Sequence, residues 1–224
     1  MMEEKKYTGM LTILGMIFVA ALLVSNIIAG KVWAVYDDIT VPSSVILFPI
    51  TYIISDMITE VYGFRKSKLV IWAGFACNFI AVLAYVVTVV LPYPKYWLDQ
   101  DAFAVVLGMT PRVLAASFAG YLIGGFSNSI VMSKMKVRMG GKRLCERLII
   151  STLIGEALDS IIFDVISFAG QIPTHQLFTT IFFQYMLKVL FEIVLIPVTY
   201  WAIKTLKRKE GIDVYDYNIR YNVF

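Results

Sequence analysis

Seven ionisable side chains interrupt stretches of the 224-residue chain that are otherwise apolar: Asp56, Glu60, Glu156, Asp159, Asp164, Lys188 and Glu192. At the centre of a bilayer each such charge costs about 2.5–3.5 kcal/mol on insertion scales, so residues of this kind face a polar interior, a partner or a ligand and mark a functional site. Their spacing groups them. Glu156 and Asp159 are three residues apart, Lys188 and Glu192 four apart, and Gln184 precedes Lys188 by four, so each set shares one helix face. Asp56 and Glu60 also lie one turn apart, and Glu60, nearer the end of its stretch, is expected either to be solvated or paired with Arg65, or to join the site. Asp159 and Lys188 stand 14 and 15 residues on either side of Pro173, in a short turn between two apolar runs. At 1.5 Å per residue both sit roughly 20 Å from that turn, which opens an ion pair between neighbouring helices. Asp164, about 140° around from Asp159 at 100° per residue, is expected to face another helix. The acids outnumber the base, which leaves carboxylates for a ligand, a proton, or donors such as Arg112, Asn26, Asn78 and Asn128.

These residues need long apolar elements to hold them. The chain is 59% hydrophobic and 16% charged, with a mean hydropathy of +0.75, far from a soluble domain. We read an all-α polytopic membrane protein of six transmembrane helices, about 8–29, 42–62, 68–91, 110–132, 147–169 and 176–206, followed by a tail over 207–224. A hydrocarbon core roughly 30 Å thick needs about 20 helical residues, so the first run is a span rather than a signal peptide. Thr40 and Pro42 are expected to start the second helix and Pro49 to kink it. Of the 20 Lys and Arg residues, 16 fall at the amino terminus, in the second and fourth connections and in the tail, which together with the even helix count places both termini in the cytoplasm. No extramembrane stretch is long enough for a further domain, so residues 1–224 read as a single membrane domain.

Other chemistries find little support. Cys77 and Cys145 belong to no CxxC or Cys/His cluster, and the one histidine, His175, lies in a loop, so neither a metal nor a cofactor is expected. The net charge of +4 reflects cytoplasmic loops, and nucleic acid is not a partner. Paired aspartates such as Asp56 and Asp159 could in principle activate water as in an intramembrane hydrolase, but GxGD, HExxH and GxSxG are absent and no enzyme is expected. Small residues at four-residue spacing, Ala21, Ser25 and Ala29, then Ala116, Gly120 and Gly124, form packing stripes, either within the chain or against a homodimer partner or an energising complex.

The sequence resembles the queuosine precursor transporters, a vitamin-uptake group similar to substrate-binding subunits of energy-coupling-factor transporters. The resemblance covers roughly residues 25–204. It rests on Ser25-Asn26, FPITYIISDMITEVYG from Phe48 to Gly63, RVLAASFAGYLIG from Arg112 to Gly124, STLIGEALDSIIF from Ser151 to Phe163, and YMLKVLFEIVLIP from Tyr185 to Pro197. It implies import of 7-cyano-7-deazaguanine or a related deazapurine for tRNA modification, across the plasma membrane of a bacterium or archaeon. Asn26, Asp56, Arg112, Asp159 and Lys188 carry over from it, and depth and face add Glu156, Gln184 and Glu192. Asp159 and Glu156 are expected to read the donors of the base and Lys188 its carbonyl. Asn26 and Asp56 would complete the lining or couple protons, Arg112 would guard the outer mouth, and Tyr185 or Phe163 would stack on the base. The alternative within this resemblance is a capture subunit awaiting an ATP-driven complex, docked on the Ala21, Ser25, Ala29 stripe.

Overall fold

Apolar and polar residues are sorted in the reverse of a water-soluble protein. Phe79, Ile80, Leu83 and Val90 of one helix, and Val194, Val198 and Trp201 of another, are exposed, while Glu60, Arg147, Glu156, Asp159, Asp164 and Lys188 are buried. Around water this arrangement would be costly, and around lipid it is the stable one, because tails solvate the apolar faces and the interior gathers the polar groups. The computed structural model describes residues 9–36, 39–108 and 110–223, so the basic residues expected at the amino terminus and the first residue of the first expected span lie outside the described residues.

Among the described residues there are seven α-helices: α1 (Gly9–Ile28), α2 (Phe48–Tyr62), α3 (Phe64–Val90), α4 (Gln100–Gly108), α5 (Thr110–Arg138), α6 (Leu144–Phe168) and α7 (Thr174–Glu210). On length and composition alone, α1, α3, the α4–α5 stretch and α7 can cross a bilayer. The protein is thus an α-helical membrane protein. The 25-residue α6 is long enough but carries Glu146, Arg147, Glu156, Asp159 and Asp164, and four of these five are buried against neighbouring helices. At 37 residues α7 is about 55 Å long, which exceeds a hydrocarbon core and carries its basic end, Lys207 to Lys209, beyond it. Gly211 caps it in the left-handed conformation, φ 64°, with its N–H donating to Lys207 O.

Three expectations at the second span need correction. Thr40 and Pro42 belong to an antiparallel hairpin, β1 (Val32–Tyr36) with β2 (Ile39–Pro42), in which Val32 faces Pro42 and Trp33 faces Val41. The β-branched and aromatic residues there are the signal that a hydropathy reading passes over. A 3-10 turn over Ser43–Ile46 follows, and α2 begins only at Phe48. Pro49 consequently sits in the first turn of α2, where no hydrogen bond is lost and no kink follows. The connector after α3 likewise carries a further helix, α4.

The closest helix contact is α5 on α6, and glycines make it. A Cβ on Gly124 would lie 2.5 Å from Gly155 O and 2.7 Å from Asp159 Cβ, and one on Gly155 would lie 2.7 Å from Asn128 Cβ. The Ala116, Gly120, Gly124 stripe therefore packs within the chain and brings the backbone of α5 against the polar face of α6. Ala21, Ser25 and Ala29 are buried inside the fold as well, so that face is not a free docking surface.

Candidate functional site

The α6–α7 hairpin places Lys188 opposite the acids of α6, as equal rise from the turn requires. Lys188 Nζ donates to Asp159 Oδ2 at 2.6 Å and lies 3.2 Å from Glu156 Oε2. The three side chains are at most 1% exposed. Four residues before Lys188, the Gln184 amide lies against Asp164, and the acceptors around it assign its NH2 to that side, 2.9 and 3.2 Å from the two carboxylate oxygens. Asp164 thus faces α7 rather than a different helix, because it and Gln184 stand at similar distances from the turn and the glutamine side chain reaches around. Glu192, one turn beyond Lys188, accepts a hydrogen bond from Thr152 of α6.

From α2, Asp56 enters the same interior and accepts from Asn128 Nδ2 of α5 at 2.6 Å. Asp56 and Glu192 both line a water-sized cavity of about 10 Å³ between α2, α6 and α7. Aromatic rings border the ion pair. Lys188 Nζ is 4.5 Å from the centroid of the Phe48 ring, Phe48 and Tyr52 are 5.9 Å apart, and Tyr52 and Tyr121 are 5.3 Å apart, edge to face. These rings, from α2 and α5, were not among the aromatic candidates. Tyr185 is only half-buried with its hydroxyl toward Leu153 O, and Phe163 packs beside Phe168 in a separate apolar cluster with Ala29, Val113 and Ala116. The motif that begins at Phe48 and includes Tyr52 carried the signal, since an aromatic pair at i and i+4 shares a helix face with Asp56.

The cluster holds more acceptors than it fills. Among the described residues Asp159 Oδ1, Glu192 Oε1, Asn128 Oδ1, the Tyr52 and Tyr121 hydroxyls and Asn26 Nδ2 are buried without a hydrogen-bond partner, and neither Glu156 oxygen has hydrogen-bond geometry. Buried polar atoms are nearly always satisfied, so these groups are left to ordered water or a polar ligand. Asn26 is buried on α1, three residues before Ala29. Arg112 is exposed and stands apart from the ion pair: its Nε and one terminal nitrogen donate to Ile166 O at 2.8 Å and Ala169 O at 2.7 Å, capping the carbonyl end of α6. Among the described residues no group of three or more His, Cys, Asp and Glu side chains is placed to hold a metal ion.

Glu60 is neither solvated nor paired with Arg65. It is buried in a second cluster, where both its oxygens accept from Arg147, Lys207 Nζ donates to Oε1 at 2.7 Å and Lys136 Nζ lies 3.8 Å away. The tail completes this cluster. Asp213 accepts from Lys136 at 2.5 Å and pairs with Lys207 at 2.8 Å, Val214 N donates to Val61 O, and Asp216 accepts from Phe64 N and Ser133 Oγ. Burial alone would push the Asp213 carboxyl up, but hydrogen bonds from Lys136 and Lys207 outweigh it and hold Asp213 below the ordinary carboxylate range. Sequence distance hid this network: Asp213 and Glu60 are about 150 residues apart, and only the docking of the tail on the α2–α3 junction joins them.

Apolar-faced helices around a buried set of charged and aromatic groups are the arrangement a membrane transport protein requires. The chain belongs to the vitamin uptake transporter family, whose model, described as "Putative vitamin uptake transporter", matches residues 42–202. No curated protein and no solved structure matches the chain. The matched segment contains every site residue discussed here except Asn26, and it excludes the tail.

Proposed function

We propose that the protein imports a 7-deazaguanine, such as the queuosine precursor 7-cyano-7-deazaguanine, and binds it at the Lys188 cluster. The observation that carries this reading is one ammonium flanked by two carboxylates with unfilled oxygens, beside the rings of Phe48 and Tyr52. A guanine-like edge presents N–H and amino donors next to a carbonyl, so it asks for a carboxylate beside a cationic donor, and its flat ring favours aromatic neighbours. Asp159 and Glu156 would take the donors and Lys188 the carbonyl. Gln184, Asp56, Glu192 and Asn26 would complete the polar wall, and Arg112 would act on the outer side by fixing the end of α6.

In this reading α2 and α6 join the four apolar stretches to make six crossings, with both termini in the cytoplasm of a bacterial or archaeal cell, and access alternates around the buried cluster. The Glu60 network would then close the cytoplasmic end. The burial of Ala21, Ser25 and Ala29 favours a self-sufficient carrier over a capture subunit that docks through this stripe. The two aspartates of the hydrolase alternative are held by different donors, Asp56 by Asn128 and Asp159 by Lys188, which favours binding over a shared-proton pair. The test is uptake of labelled 7-cyano-7-deazaguanine into liposomes holding this protein alone, with and without a proton gradient. Uptake supports the carrier. Binding without uptake moves the reading to a capture subunit, and the absence of both refutes the deazapurine.

A further inference from the structure

At the end of α3 that carries Arg65, a cleft of about 730 Å³ opens between that helix and the docked tail. Among the described residues its lining includes Arg65, Lys68 and Trp72 from α3 and Arg220 and Asn222 from the tail, and no acidic residue. Arg65 and Arg220 are exposed, and among the described residues neither has an ion-pair partner. The acid nearest in sequence, Asp216, accepts from Phe64 N and Ser133 instead. Lys68 and Trp72 help to shape the cleft, since Lys68 Nζ donates to Asn222 O at 2.9 Å and the Trp72 indole N–H donates to Val223 O at 2.9 Å.

Leu69, 48% exposed, lines this cleft and also a second groove of about 510 Å³ between α1 and α3. That groove runs along α1 from Leu11 to Leu23 and along α3 from Lys66 to Cys77, and beyond Lys66 and Thr12 its walls are apolar. Twelve helical residues span about 18 Å, close to the depth of one leaflet of a hydrocarbon core roughly 30 Å thick. A basic cleft at the membrane boundary thus continues past Leu69 into an apolar trough one leaflet deep.

We propose that this composite surface binds one anionic phospholipid of the leaflet at the Arg65 end. Its phosphate would sit between Arg65, Lys68 and Arg220, and one acyl chain would lie past Leu69 along α1 and α3. The trough decides for a lipid over a free phosphate, which has nothing to place there. Because the tail forms one wall of the cleft, the lipid also bridges residues 218–222 to α3 and reinforces the docked tail.

The test uses a variant whose only tryptophan stands where cleft and trough meet, Leu69→Trp with Trp33, Trp72, Trp97 and Trp201 replaced by Phe, in liposomes containing a brominated acyl chain on either phosphatidylglycerol or phosphatidylcholine. Bromine quenches a tryptophan it touches, so quenching reports occupancy. Brominated phosphatidylglycerol is expected to quench at a markedly lower mole fraction than brominated phosphatidylcholine. Each basic residue at an anionic surface strengthens binding about fivefold, so R65Q/R220Q should erase about 25-fold of that preference. A73F, which fills the trough and leaves the cations in place, should lower quenching by either lipid in correctly assembled protein. Equal quenching by the two lipids, or a preference unchanged in R65Q/R220Q, overturns the proposal. Relief of quenching by millimolar inorganic phosphate overturns it too, and assigns the cleft to a soluble anion.

Discussion

Removing the Lys188 ammonium separates a binding role from a bracing role. In Lys188→Met the carboxylates of Asp159 and Glu156 lose the cation 2.6 and 3.2 Å away and remain at 0% exposure. Breaking a buried pair from one side costs about 3–5 kcal/mol, a large part of a total stability of about 5–15 kcal/mol. The single variant should therefore unfold at a much lower temperature in detergent. The triple variant K188M/D159N/E156Q removes the charge from both sides, and because replacing a buried pair by neutral groups is often close to neutral, it should recover most of that loss. Its affinity for 7-cyano-7-deazaguanine should not recover. The Lys188 hydrogen bond alone, from a charged donor, contributes about 1.5–3 kcal/mol, so binding by titration calorimetry should weaken at least by a factor of about 10 to 150. A triple variant that unfolds like the wild type and binds with unchanged affinity would refute the assignment and reduce Lys188 to a brace for the α6–α7 hairpin.

Three further outcomes follow from the structure. Gly124→Ala should destabilise by about 1–3 kcal/mol in chemical or thermal unfolding, since its Cβ meets rigid atoms of α6, whereas Gly108→Ala, with nothing within 4 Å, should not. Asp213 has a folded pKa below its unfolded one, so its stabilisation of the tail is fully present above the ordinary carboxylate value of about 3.9 and is lost as pH falls through the lower, folded value. Hydrogen exchange at Val214, whose amide is bonded to Val61 O, should accelerate in that acid range in the wild type and show no such step in Asp213→Asn. Cys145, free and exposed at the start of α6, should react with a membrane-impermeant maleimide in inside-out vesicles and not in intact cells, while labelling from the outside would reverse the proposed orientation.

The chain's one-dimensional pattern determined the helical membrane class, the approximate extents of helices α1, α3, α5, α6 and α7, and the closeness of Lys188 to Asp159. Each of these depends on local composition or on a constant rise per residue from a single turn, and both are properties of the sequence itself. The hairpin at residues 32–42 and the late start of α2 escaped a hydropathy reading because a half-exposed pair of short strands and a transmembrane segment share the same apolar residues. Tertiary structure alone decided the remainder. That Phe48 meets Lys188, that Asp56 is held by Asn128, and that the small-residue stripes face inward depend on which helices touch and at what rotation. The same holds for Glu60. Its neighbours in sequence suggested Arg65 or water, but its partners Arg147, Lys136 and Lys207 come from three other helices, because a buried carboxylate is stable only where the fold gathers cations around it.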